Sequence, residues 1–149
     1  MDLSEENVGN VGNWVLVEVI LGTIIFILFV VTPGHFVHQR IHEDEFNYIW
    51  VVLKDKDFED LVTNVQMVSQ TLMEQGFGTQ LLASVYRFKG ENTVYWIYSF
   101  KLGSYYPFVP SGNQQRNTSL EFRLKSVMAR ELPIEKDEAK WYPVWGTPI

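Results

Sequence analysis

The sequence predicts an α+β protein in two parts: one membrane-spanning helix near the N-terminus, then a small ferredoxin-like sandwich built as βαββαβ. Three observations carry this. Residues 11–31, VGNWVLVEVILGTIIFILFVV, are apolar almost throughout, and no charge occurs from Val19 to Val31. Beyond residue 45 the apolar pattern switches between strand and helix periods in the order β, α, β, β, α and a last, weak β. Outside the span, a remainder of about 110 residues suffices for one small core. The expected division is a polar tail over 1–10, a transmembrane helix over 11–33, a juxtamembrane connector over 34–45 and an α+β domain over 46–149.

A helix over residues 11–31 would be about 31 Å long, close to the thickness of a bilayer's hydrocarbon core. Trp14 suits the headgroup level. Glu18 and Gly22 are four apart and share a helix face, where a small residue beside a polar one would let another helix approach. Both are candidate partner-binding residues. The plainer reading has Glu18 reaching outward to the interface. Thr32-Pro33-Gly34 ends the span. The start, MDLSEEN, lacks the basic n-region of a cleaved signal. Arg40, Lys54 and Lys56 follow the span and no base precedes it, so the N-terminus is expected outside and the domain in the cytoplasm.

His35, His38, His42 and Glu45 fall at i, i+3, i+7 and i+10, one stripe if the connector is helical. Imidazoles and a carboxylate so placed are a candidate metal site or pH sensor. The plainer reading is a polar collar at the membrane surface. There is no cysteine, which excludes disulfides and thiolate chemistry.

In the domain, Asn47 to Leu53 reads as a buried central strand. Asp57 caps a helix whose apolar stripe includes Phe58, Leu61, Val65, Val68 and Leu72 and which stops at Gly76 and Gly78. Residues 79–88 and 93–102 form a hairpin around Lys89-Gly90-Glu91-Asn92. Residues 103–119 read as a long loop, displaying Tyr105, Tyr106 and Phe108 as candidate partner-binding aromatics. Thr118-x-x-Glu121 matches a capping box for a second helix, with Arg123 and Arg130 on its outer face; Leu120-Phe122-Leu124 also permits a strand. Trp141 to Trp145 is the weak last strand, confined to an edge by Pro143.

The net charge of −6 is uneven: −3 over residues 1–42, −6 over 43–76 and +3 over 77–149. That balance argues against general nucleic-acid binding and allows a local basic patch. No phosphate loop, nucleophile elbow or zincin motif occurs, so no enzyme and no cofactor is expected. The favoured class is a structural or interaction protein, a single-pass subunit or assembly partner of a membrane complex or virion, touching lipid and other subunits. A membrane-tethered sensor of a small ligand, a metal or pH is the alternative. An RNA-binding module stacking bases on Trp96, Tyr98 and Phe100 is weaker, since its aromatic signature is missing.

Overall fold

The structure, a computed structural model, describes residues 13–20, 38–45 and 47–149. One antiparallel sheet contains β1 (Asn13–Ile20), β2 (His38–Glu43), β3 (Tyr48–Asp55), β4 (Leu81–Lys89), β5 (Thr93–Ser99) and β6 (Ser104–Phe108). Their spatial order is β2-β3-β1-β4-β5-β6. Two helices accompany the sheet, α1 (Phe58–Leu72) and α2 (Thr118–Met128).

The first part of the expected membrane helix is therefore a strand. β1 pairs with β3 on one side and β4 on the other, with Glu18 across from Trp50 and Ala83. The physical reason lies in the residues: Val15, Val17, Val19 and Ile20 are β-branched and favour extended backbone. An unbroken apolar run does not distinguish a strand buried on both faces from a helix. Residues 21–37, including Gly22 and His35, lie outside the described residues. Among the described residues no helix is long and apolar enough to cross a membrane.

β3 is central, as its composition predicts. Alternation sends Val51 and Leu53 to a core shared with α1, and Trp50 and Val52 to a second core on the other face. Asp57 caps α1 by accepting from the N–H groups of Glu59 at 2.8 Å and Asp60 at 3.3 Å. Leu61, Val65 and Leu72 are buried under it. Gly76, at φ 89°, ends the helical stretch in a conformation that costs other residues more. The α1 connection carries the chain from β3 to β4, which lie on either side of β1.

The expected loop at 103–119 begins as β6, which pairs with β5 from Tyr95↔Phe108 to Ser99↔Ser104. Pro107 does not prevent this, because its position is at the outer strand of the ladder. The last expected strand is absent. Residues 133–149 instead form a strap across the second core, with one short helical turn at Glu138–Lys140. Trp141 is 4 % exposed, and Ile134, Val144, Trp145 and Ile149 pack around the same core.

Candidate functional site

The chain turns sharply after β6. Gly112, Asn113 and Gln114 all have positive φ, and the Ser111 N–H donates to the Gln115 carbonyl at 2.8 Å. This reversal returns Arg116 to the end of β6, where its guanidinium sits 5.2 Å from the Phe108 ring centroid. Asn117 then caps α2 by accepting from the Leu120 N–H at 3.1 Å. Thr118, expected as the cap, is the first helical residue.

Glu121, the expected capping-box carboxylate, has a different task. It is 2 % exposed and accepts from the Val109 N–H at 2.8 Å and from Arg116 Nε at 3.0 Å. Arg116 also donates to the carbonyls of Trp141 and, at 3.4 Å, Pro107. A buried carboxylate is tolerated when its charge is paired and its oxygens are hydrogen-bonded, and this one is. The pair thus joins β6, α2 and the strap at one point. Sequence reading missed it, although a signal was present. Glu121 lies on the same helix stripe as Leu124 and Met128, and a carboxylate on an apolar stripe implies a buried partner.

The strap is held along its length. The Tyr105 N–H donates to the Pro133 carbonyl, and the Glu135 N–H donates to the Tyr105 carbonyl, both at 2.8 Å, so the strap covers the free edge of β6. The Trp141 indole N–H donates to the Glu135 carbonyl at 3.1 Å. Lys125 of α2 pairs with Glu138 and lies 5.4 Å from the Trp141 ring. The Asp137 N–H, then the Ser104 hydroxyl, hold the Glu135 carboxyl below the usual carboxylate range. The hydrogen bond from Lys125 does the same for Glu138.

On its outer side α2 is left open. Glu121 is its only buried residue, while Phe122 is 49 % and Val127 72 % exposed. Arg123 and Arg130 are exposed and, among the described residues, form no ion pair. Between the first turn of α2 and the strap is a pocket of about 110 Å³, lined by Arg116, Thr118, Glu121, Phe122, Glu138 and Trp141. Ligand sites usually occupy about 300–1,000 Å³, so this pocket suits one side chain better than a cofactor.

The residues singled out in the sequence are dispersed. Tyr106 and Phe108, expected on a displayed loop, are 4 % and 1 % exposed. Tyr106 stacks on Trp141 at 6.3 Å, and Phe108 meets Trp145 edge-on at 4.8 Å. Tyr105 is half-buried, its ring 4.8 Å from Tyr98. Burial pushes its hydroxyl pKa up, and the neighbouring Tyr98 adds to that. The correction has a simple cause. These residues are in a strand, and strand alternation sends Tyr106 and Phe108 into the core. The base-stacking candidates Trp96 and Phe100 pack against the core beneath α1, and Tyr98 lies 5.2 Å from Phe100. Of the histidine stripe, His38 and His42 are in β2, so helical spacing does not apply to them; His42 and Glu45 are exposed. Among the described residues no group of three or more His, Asp or Glu side chains could hold a metal ion. Glu18 is in the central strand β1.

The model of a family described as PspAB, PspA associated protein B, matches residues 27–149. No curated protein and no solved structure matches the chain.

Proposed function

The chain belongs to the PspAB family, and from that premise we propose that it acts by binding a PspA protein through the outer face of α2 and the adjoining strap. The observation that carries this reading is Phe122 and Val127 standing exposed on a helix whose only buried residue is Glu121. α1 also exposes Met67, but it buries Leu61, Val65 and Leu72, whereas α2 buries no apolar residue. The family description supports a protein partner. The test is co-elution of the full chain with PspA of the same organism. One complex in size-exclusion chromatography is expected, and separate elution at micromolar concentrations contradicts the reading.

The finer fold assignment belongs to the same proposal. Strands β2-β3-β1-β4 stand in the order of a ferredoxin-like sandwich, with β5 and β6 as an extension. β1 and β2 lie parallel on either side of β3, as the first two strands of that fold do.

The uncharged run Val19–Val31 supports a second reading. There, the chain binds a membrane surface, with the domain at its cytoplasmic face. Flotation with anionic vesicles tests it. Protein remaining at the bottom of the gradient removes it.

A further inference from the structure

We propose that the outer face of α2 receives an acidic amphipathic helix of the partner, with one apolar side chain of that helix entering the pocket beside Trp141. This rests on the reading of the face as a protein-binding surface and adds the chemistry of the occupant.

Helical spacing places Ser119, Phe122, Arg123 and Ser126 on one arc of about 100°, with Val127 just beyond its edge and Arg130 in the turn that follows Met128. From Leu120 to Arg130 the only carboxylate is Glu121, and its charge is taken up by Arg116 beneath the helix. Lys125 is paired with Glu138. Arg123 on the arc and Arg130 just past the helix end therefore carry positive charge with no ion pair among the described residues, although the whole chain is at −6. Glu131 follows directly after Arg130 and softens the field at that end. A partner with carboxylates opposite the two arginines is favoured in encounter, and a basic one is repelled.

The arc also suits a helix in shape. Ser119 and Ser126 are small and let a second helix axis come close. The Ser126 hydroxyl already donates to the Phe122 carbonyl at 2.9 Å, so covering it strands no polar hydrogen. On one side of the arc, Phe122 and Trp141 stand 6.1 Å apart between ring centroids and flank the pocket. Aromatic walls around a side-chain-sized pocket match the anchor sites that dominate many interfaces. Removing the half-exposed Phe122 ring from water then supplies the apolar part of the contact.

Two designed amphipathic peptides of equal length and identical leucine pattern test the chemistry, one flanked by glutamates and the other by lysines. Each is titrated into the isotope-labelled full chain. The glutamate peptide is expected to shift the amides of residues 119–130 and the Trp141 indole N–H, and the lysine peptide to leave them in place. The double variant Arg123→Glu/Arg130→Glu is expected to bind the glutamate peptide about tenfold more weakly at low salt, with the difference shrinking as salt screens it. Phe122→Ala is expected to weaken binding at both salt concentrations. Equal affinity for the two peptides, shifts confined to other elements, or indifference to the charge reversal overturns the proposal. PspA gives the second arm. A bound glutamate peptide without PspA co-elution removes the partner reading and keeps the face. PspA co-elution unaffected by both variants keeps the partner and removes the face.

Discussion

The two helices start alike and end up with opposite roles. Each begins with a side-chain cap, Asp57 for α1 and Asn117 for α2. Beneath α1 are Leu61, Val65 and Leu72, and its first turn carries Glu59 and Asp60, favoured there by the helix dipole. Beneath α2 is one buried residue, the carboxylate Glu121, while Phe122 and Val127 are exposed on either side of Arg123. The first helix is held by apolar area and belongs to the core. The second is anchored by one ion pair and its hydrogen bonds, with Leu120, Leu124 and Met128 half-buried, which leaves Phe122 and Val127 for something else. A helix fixed by a polar bolt keeps a free face at little cost to the fold.

The sharpest way to break this contrast is at the bases of the two helices. Leu61→Ala opens a cavity under α1 and is expected to cost about 2–5 kcal/mol, read as a lower denaturation midpoint. Glu121→Leu strips the Val109 N–H and the Arg116 guanidinium of their acceptor. It is expected to cost about 1.5–3 kcal/mol, with faster hydrogen exchange in α2 and the strap before α1. Equal loosening of both helices would show that α2 is a core element too.

A smaller effect follows from acid. Glu135 and Glu138 have depressed pKa values, so their contribution is present at neutral pH, above the unfolded value. It is lost as pH falls below the usual carboxylate range and through the folded values. Both carboxyls are solvent-accessible and screened, so the expected result is local. Strap amides from Glu135 to Trp141 should lose protection in acid, measured against the intrinsic exchange rate at each pH, while α1 stays protected. Simultaneous loss of α1 protection would contradict it.

The smallest effect is expected on the open face. Arg123→Glu/Arg130→Glu should change stability by no more than about 0.5 kcal/mol, because both side chains are exposed and form no ion pair among the described residues, and Phe122→Ala by no more than about 1 kcal/mol, because its ring is half-exposed beside Trp141. A large drop in melting temperature for either would mean that the face is structural.

The elements around α1 were legible because their signals are local. β3 is a compact β-branched and aromatic run, Asp57 caps the helix, its stripe has helical period, and Gly76 stops it. β1 was not legible. Trp14 to Ile20 continues without a break into an uncharged run, and only the pairing with β3 and β4 marks it as a strand. β6 was hidden by Pro107 and by the turn residues that follow. On the candidate site, the outward placement of Arg123 and Arg130 was readable from helical spacing. The bond between Glu121 and Arg116 was not, because a capping box accounted for the carboxylate. The inward turn of Tyr106 and Phe108 depends on the ladder with β5, which is a non-local pairing.

Hydrogen exchange of the full chain with and without PspA tests the central claim most directly. The account predicts slowed exchange over residues 118–130 and 138–145 on complex formation, with residues 58–72 unchanged. Slowed exchange over 58–72 with none over 118–130 would contradict it, and would move the partner's seat from the second helix to the first.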